Sequence, residues 1–168
     1  VRALRVGDPT LADTQVGPMA RADLRDALHA QVEASIAAGA VLVAGGAAVE
    51  GPGYFYKPTL LTGVKPGMAA FDEELFGPVA SLVVAQDTAE AIELANTTRF
   101  GLGASVWTKS QFTNSIAGAL NAGNVMCNGI VKSDPRLPFG GIRASGLGRE
   151  LGRAGLIAFT NQKTVWVR

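Results

Sequence analysis

Hydrophobic side chains recur at intervals of three and four positions in one long stretch near the start of the chain. Between residues 19 and 38 they alternate with charged residues, and Gly39 follows. This period places the apolar positions on one face of a helix, and glycine is a common residue just beyond a helix end. The pattern therefore predicts an amphipathic helix over residues 19–38.

Short apolar runs bounded by glycine, proline or polar residues follow this helix. Such runs are typical of strands, and they predict strands at 41–44, 54–61 (interrupted by Pro58), 81–85, 104–108 and 125–128. Asp87-Thr88-Ala89-Glu90 resembles a capping box that opens a helix to about Asn96. Two further helices are predicted. One begins at Ser110 and carries Phe112, Ile116, Ala119 and Leu120, and the other extends over 149–159.

The order of elements from residue 81 onwards is βαβαβ. Mostly apolar strands joined by helices are typical of a parallel sheet that is covered on both faces. The predicted fold class is therefore α/β, with a parallel-type sheet flanked by helices. The terminal run Thr164-Val165-Trp166-Val167 is a strong strand former, and such a strand needs a partner for its backbone groups.

Composition narrows the class of protein. The chain has 168 residues, 48% of them hydrophobic, with 15 Lys and Arg against 14 Asp and Glu. This length and apolar content can bury a core, and the balanced charge argues against binding to nucleic acid. No apolar run is long enough to predict a membrane span. A single Cys127 excludes an intrachain disulfide, so we expect a cytoplasmic protein with no membrane partner.

Three features could carry chemistry but have simpler explanations. Gly146-Leu147-Gly148 precedes a predicted helix, but no strand leads into it as a dinucleotide fingerprint requires, which favours glycines for close packing. Cys127 lies in an apolar run with no base near it in the sequence, which favours a buried strand thiol over a nucleophile. His29 has no second ligand at metal-binding spacing, so we expect a surface residue and no metal site.

The segment Phe71-Asp72-Glu73-Glu74-Leu75-Phe76-Gly77-Pro78-Val79 places three carboxylates between two aromatic residues, just before a predicted strand. A solvated acidic turn is one explanation. The other is that a carboxylate near the end of a sheet strand accepts hydrogen bonds from sugar hydroxyls, as acidic residues do for the ribose of a dinucleotide. The spacing alone leaves both open.

Several ordered motifs extend from Val6 to the end of the chain. They are Val6-Gly7-Asp8-Pro9 with Gly17-Pro18, Glu74-Leu75-Phe76-Gly77-Pro78-Val79, Ala95-Asn96 through Phe100-Gly101-Leu102, Ala122-Gly123-Asn124, and Pro138-Phe139-Gly140-Gly141 followed by Ser145-Gly146. Together they resemble the C-terminal part of the aldehyde dehydrogenase superfamily. Residues 137–150 and the ending Lys163-Thr164-Val165-Trp166 are most similar to bacterial succinate-semialdehyde dehydrogenases.

The resemblance implies roles for five residues. Glu74 corresponds to the glutamate that holds the nicotinamide ribose of NAD or NADP, and Phe76 to the aromatic residue beside it. Leu102 corresponds to a leucine near the nicotinamide and Phe139 to a phenylalanine of the aldehyde tunnel, with core packing as the alternative for both. Ser133 stands where related enzymes place a serine against the distal carboxylate of the substrate, with a solvated loop serine as the alternative.

The resemblance also implies that essential parts lie before Val1. These are the cysteine nucleophile, the glutamate that activates water, the oxyanion donors and the nucleotide-binding domain. We therefore expect residues 1–160 to be a partial catalytic domain, with no catalytic residue of its own, and residues 161–168 to be an oligomerisation strand. The expected partners are a small aldehyde and further copies of the chain.

Two functions follow as hypotheses. The first is a fragment of an NAD(P)-dependent aldehyde dehydrogenase that is inactive alone, whose parent oxidises an aldehyde, with succinate semialdehyde as the candidate, to the carboxylic acid. An acylating dehydrogenase is a variant of it, which Glu74 and Pro138-Phe139-Gly140-Gly141 disfavour. The second is a stand-alone remnant without catalysis that acts as an interaction or assembly module.

Overall fold

The computed structural model describes residues 1–109, 111 and 113–168. Ser110 and Phe112, which the sequence assigns to the start of a helix, lie outside the described residues. The chain divides into two compact units, Val1–Val84 and Ala85–Arg168. Each unit contains its own β-sheet and helices. None of the described helices is long and apolar enough to cross a membrane.

The first unit consists of two helices and a three-stranded sheet. Its elements are α1 (Ala22–Ala37), β1 (Val41–Ala44), β2 (Thr59–Thr62), α2 (Ala69–Asp72) and β3 (Val79–Leu82). The strand order is β1-β2-β3, with β1 antiparallel and β3 parallel to β2. The sheet is therefore mixed, and the prediction of a parallel-type sheet is wrong at β1.

The reversal at β1 has a local cause. A parallel neighbour requires a long crossover, usually a helix, whereas an antiparallel neighbour can be reached by a loop. The segment between β1 and β2 contains no helix, and it leaves β1 through Gly45 and Gly46 with φ angles of +78° and +79°. Such angles favour glycine, so these two residues allow the chain to turn back beside itself.

The core of the first unit lies between α1, β2 and the segment that leads to α2. Its apolar side chains are almost fully buried: Val32, Ala40, Leu61, Val64, Met68 and Ala70. The buried Ser35 hydroxyl donates to the Gln31 carbonyl oxygen (2.8 Å) and accepts from the Ala70 N–H (2.8 Å). The same helix face therefore supplies apolar packing and a polar attachment for α2.

Tyr56 is fully buried, and its hydroxyl lies 3.0 Å from Nδ1 of His29 on α1. Nε2 of His29 lies 3.4 Å from the Glu33 carboxylate one helical turn further on. His29 is therefore a partly exposed helix residue whose ring also packs against a buried tyrosine that is distant in sequence, a contact that the sequence did not predict. Burial, and to a smaller extent the charge of Glu33, raise the pKa of Tyr56 to about 12.

The second unit is built around two parallel strands. Its elements are α3 (Thr88–Asn96), β4 (Gly103–Val106), α4 (Thr113–Ala119), β5 (Asn124–Cys127), a short 3-10 turn (Arg143–Ser145) and α5 (Gly152–Ala158). Helix α4 connects β4 to β5, as the predicted crossover requires. The predicted start of α3 is also confirmed, since Oδ1 of Asp87 accepts the Glu90 N–H at 2.9 Å.

The loop between β5 and α5 returns to the start of β5 at a close approach of two glycines. The Gly123 N–H donates to the Gly101 carbonyl oxygen (2.9 Å), and so does the Ile142 N–H (3.1 Å). A side chain at Gly123 would overlap the carbonyl oxygen of Gly140. The absence of a side chain at Gly123 therefore allows the loop to lie against the strand.

The tail 161–168 belongs to no helix or strand, although all of its residues are described, and every one of them is exposed. A strand is defined by hydrogen bonds to a second strand, and no such ladder joins the tail to the described part of the chain. The predicted strand at 164–167 is therefore not formed within this single chain. Val165, Trp166 and Val167 are 72–84% exposed.

Tyr56→Phe should reduce the loss of stability at alkaline pH. The folded chain holds the Tyr56 proton up to about pH 12, against 10.0 for an unperturbed tyrosine. The unfolded chain therefore releases the proton first, and the unfolding free energy of the original chain falls as pH rises through this window. At neutral pH the variant should be about 1 kcal/mol less stable than the original chain, because the hydrogen bond is lost. Between neutral pH and pH 12, the unfolding free energy of the variant should fall by about 2 kcal/mol less than that of the original chain.

Urea denaturation followed by circular dichroism at several pH values measures this difference. The half-exposed Tyr54 provides the matched control, and Tyr54→Phe should follow the original chain. Equal pH slopes for Tyr56→Phe and the original chain would contradict the assignment.

Gly123→Ala should destabilise the second unit. The added methyl group meets backbone atoms of Gly140, which cannot rotate away as a side-chain end could, and overpacking of this kind costs about 3 kcal/mol. Gly118 is the matched control, because it lies in α4 with open space around its Cα. Gly118→Ala should stabilise the helix by up to about 1 kcal/mol. Thermal unfolding measures both changes, and effects of the same sign would refute the packing explanation.

Candidate functional site

The segment that carries Glu74 and Phe76 connects α2 to β3 on the surface of the first unit. Both side chains are exposed, Phe76 by 68%. Within the described part of the chain, no hydrogen bond or ion pair engages the Glu74 carboxylate. A solvent-facing carboxylate beside a solvent-facing aromatic ring is a suitable acceptor for sugar hydroxyl groups.

Gln31 of α1 holds the backbone of this segment. Its Nε2 donates to Oε2 of Glu73 at 2.7 Å and to the Glu74 carbonyl oxygen at 3.3 Å. Gly77 lies against Leu28 of the same helix so closely that a side chain there would overlap the Leu28 methyl group. Helix α1 therefore fixes the segment on both sides of Glu74, while the carboxylate itself stays free.

A cleft of about 330 Å³ lies beside this segment. One wall is the turn from Leu75 to Pro78, which includes Phe76, and the other is formed by residues 17–20 with Leu24 of α1. The Gly17-Pro18 motif and the Glu74-to-Val79 motif, which are far apart in sequence, thus line one surface. The structure brings together two of the motifs that carry the family resemblance.

Leu102 lies just before β4 in the second unit and is 45% exposed. Both backbone groups of the preceding residue, Gly101, are hydrogen-bonded. Its N–H donates to Oγ of Ser145 (2.9 Å), and its carbonyl oxygen accepts two backbone N–H groups. Leu102 is thus partly exposed next to a residue whose backbone is held, and its role toward the nicotinamide stays a prediction.

Phe139 is half-buried and exchanges two backbone hydrogen bonds of 2.8 Å with Glu150. It lines a cavity of about 180 Å³. The other lining residues are Asn124, Val125, Met126, Lys132, Asp134, Leu137 and Pro138. Ser133 is exposed and stands between two lining residues without lining the cavity itself.

Two charged residues, Lys132 and Asp134, line this cavity. Arg136 donates to both carboxylate oxygens of Asp134, at 2.9 and 2.7 Å. These bonds, together with the Arg136 backbone N–H and the charge of Lys132, hold the pKa of Asp134 below its usual value. Arg136 pairs with Asp134, whereas Lys132 forms no ion pair within the described part of the chain.

Cys127 is exposed at the end of β5, so the expectation of a buried thiol is wrong. Cys127 is the last residue of this four-residue strand, along which the residues change from buried at Asn124 to exposed at Cys127. Among the described residues, no group of three His, Cys, Asp or Glu side chains is placed to hold a metal ion.

Sequence patterns gave no sign of two residues that organise these segments. Gln31 contacts residues 42 and 43 positions away, and Asn124 contacts residues 16 and 22 positions away. Asn124 belongs to the Ala122-Gly123-Asn124 motif, but the motif does not reveal what its side chain binds.

Comparisons with known proteins agree over nearly the whole chain. A probable NADP⁺-dependent succinate-semialdehyde dehydrogenase of Synechocystis is 50% identical over 167 residues, which cover 99% of this chain and 37% of the relative. A succinate-semialdehyde dehydrogenase of Escherichia coli that uses NAD(P)⁺ is 48% identical and covers 98% and 36%. This chain thus spans little more than a third of the length of these relatives.

Solved structures give the same result. The NADP⁺ complex of succinic semialdehyde dehydrogenase from Streptococcus pyogenes superposes with a TM-score of 0.93 at 33% identity, covering 99% of this chain and 37% of that one. The NAD⁺ complex of an aldehyde dehydrogenase from Bacillus cereus has a TM-score of 0.94 at 36% identity, covering 99% and 34%. A family model described as the aldehyde dehydrogenase family matches residues 1–165. This chain therefore belongs to the aldehyde dehydrogenase family.

Proposed function

We propose that this chain is part of an NAD(P)-dependent aldehyde dehydrogenase that oxidises an aldehyde to its carboxylic acid, with succinate semialdehyde as the candidate substrate. The single observation that carries the proposal is the match to relatives of that specificity over almost every residue of the chain. The free carboxylate of Glu74 and the cavity beside Phe139 provide surfaces of the kind that this chemistry uses.

The cofactor residues proposed here are Glu74, Phe76 and Leu102. Glu74 would accept hydrogen bonds from the hydroxyls of the nicotinamide ribose, and Phe76 would provide an apolar wall beside it. The bond from Gln31 to the Glu74 carbonyl oxygen supports this role, because it orders the backbone without occupying the carboxylate. When bound, NAD or NADP accepts a hydride from the substrate carbon.

The proposed substrate residues are Phe139 and Ser133. Phe139 lines the cavity, and an apolar wall suits the short hydrocarbon chain of a semialdehyde. Ser133 would donate its hydroxyl to the distal carboxylate. The positive charge of Lys132 next to it supports an anionic group at this cavity.

We further propose that residues 1–160 are part of a catalytic domain and that residues 161–168 are an oligomerisation strand. The exposed apolar side chains of the tail support the second role, because such side chains on a strand-forming sequence are suited to pairing with another chain. The same observation supports the alternative function, an assembly module that acts without catalysis.

The 168-residue chain by itself should form no reduced nucleotide from succinate semialdehyde with NAD⁺ or NADP⁺. No residue of this chain is assigned as the cysteine nucleophile or the water-activating glutamate. Without the thiolate the tetrahedral intermediate cannot form, and without the glutamate no water is activated to release the acid. The absorbance of the reduced nicotinamide measures this. Formation of reduced nucleotide by the purified chain would refute the assignment of the missing groups.

The longest reading frame that contains these codons should encode a protein that oxidises the aldehyde. In that protein Glu74→Gln should raise KM for the nucleotide about tenfold or more, because hydrogen bonds to a charged acceptor are among the stronger ones. Glu50→Gln, at an exposed glutamate of the same unit, is the matched control and should leave KM unchanged. No aldehyde oxidation would refute the proposed function, whereas oxidation with an unchanged KM in Glu74→Gln would refute only the role of Glu74.

A further inference from the structure

Asn124 is the first residue of β5, and its side chain connects two loops of the second unit. Only 8% of the residue is exposed. Its Nδ2 donates to the Leu102 carbonyl oxygen at 2.9 Å and to the Gly140 carbonyl oxygen at 3.1 Å. An amide nitrogen carries two hydrogens, so both are used, one for each loop.

These two bonds lie at the first residue pair of the ladder between β4 and β5. Strands β4 and β5 are paired in register from Gly103 opposite Asn124 to Val106 opposite Cys127. Leu102 comes one residue before this ladder, and the loop that contains Gly140 is not part of the ladder between β4 and β5. The Asn124 side chain therefore continues the pairing by one residue and adds a third segment to it.

The loops that Asn124 joins carry two of the proposed site residues. Leu102 supplies one of the accepting carbonyl groups itself, and Gly140 directly follows Phe139. Asn124 also lines the cavity that Phe139 lines. Hydrogen bonds at Gly101 already join the two loops on one side of this contact. The Asn124 side chain adds two directional bonds at Leu102 and Gly140, next to the proposed site residues.

We propose that Asn124 is a positioning residue that fixes the Leu102 and Phe139 segments relative to each other. Their roles toward nucleotide and aldehyde rest on the proposed function, but the positioning itself does not. Asn124 acts through the two backbone carbonyl groups, so its loss affects the order of both loops together. No other described side chain donates to both loops.

The test replaces the donor with a group whose ability to donate depends on pH. Asn124→Asp keeps the size of the side chain but, when ionised, places a carboxylate against two carbonyl oxygens. We expect burial and this repulsion, with Asp134 in the same cavity, to outweigh the nearby charges of Lys132 and Arg149 and to raise the pKa of the new carboxyl group above its unfolded value of about 3.9. Once protonated, the group donates one hydrogen bond again. Stability conferred by the proton is thus present at low pH and lost as pH rises through the raised pKa.

Hydrogen exchange of the ligand-free full chain, expressed as protection factors, provides the measurement. At neutral pH, peptides covering residues 101–104 and 138–141 should lose about tenfold protection in both Asn124→Asp and Asn124→Ala. At low pH, Asn124→Asp should recover part of this protection, whereas Asn124→Ala should recover none. Asn121→Asp is the matched control, because Asn121 is exposed and its side chain makes no hydrogen bond within the described part of the chain. It should match the original chain at both pH values.

Unchanged protection in both peptides for Asn124→Asp and Asn124→Ala would overturn the proposal. A loss in Asn124→Asp that does not depend on pH would also overturn it, since that result indicates altered packing rather than a lost donor. Circular dichroism monitors folding, and if Asn124→Ala is unfolded, the pH comparison within Asn124→Asp decides alone. Unfolding of Asn124→Asp at both pH values, with Asn121→Asp folded, would count against the proposal as well.

This result can be separated from the proposed function. The exchange measurement uses neither nucleotide nor aldehyde, so it stands even if the chain has no part in aldehyde oxidation. Conversely, an enzyme in which Leu102→Ala and Phe139→Ala leave the kinetics unchanged would refute the roles of those residues and leave the exchange result intact.

Discussion

Every strand in the described part of the chain is four residues long, and the loops between elements are extensive. The backbone N–H and C=O groups of those loops need partners when they leave water, and a ladder of four residues supplies few of them. Side chains supply many of the rest. Gln31, Ser35, Asn124 and Arg149 each bond to backbone groups of loops or helix ends beyond the sheets. The loops that carry the candidate site are ordered by these bonds.

In the first unit this task falls to α1. Its apolar face closes the core through Val32, while Gln31 and Ser35, one helical turn apart, bond to the segment around α2. One helix thus combines burial, which provides stability but little directional order, with hydrogen bonds, which set position. At Glu74 these hydrogen bonds hold the backbone while the carboxylate remains exposed.

The second unit uses glycine for the same purpose. Gly123 allows a loop to lie directly on β5, and Asn124 next to it provides the directional bonds. Any side chain at Gly123 would overlap Gly140, and a side chain without an amide nitrogen at position 124 would remove both hydrogen-bond donors. Family membership fits this arrangement, because the Ala122-Gly123-Asn124 motif and the Pro138-Phe139-Gly140-Gly141 motif, which the family resemblance rests on, are the two sides of this contact.

The sequence by itself predicted helices that overlap α1, α3, α4 and α5, strands that overlap all five observed strands, and the family, but it did not predict α2. Local signals suffice for these, since a 3.6-residue period defines α1 and the Asp87 cap defines the start of α3, while the ordered motifs identify the family without any contact being known. It could not determine that β1 runs antiparallel, that His29 faces a buried tyrosine, that Cys127 is exposed, or that the tail forms no strand in a single chain. It also gave no sign of the contacts made by Gln31 and Asn124. Only the tertiary structure decided these points, because each depends on which residues meet across 16 or more positions of the chain, and local periodicity and propensity carry no record of such meetings.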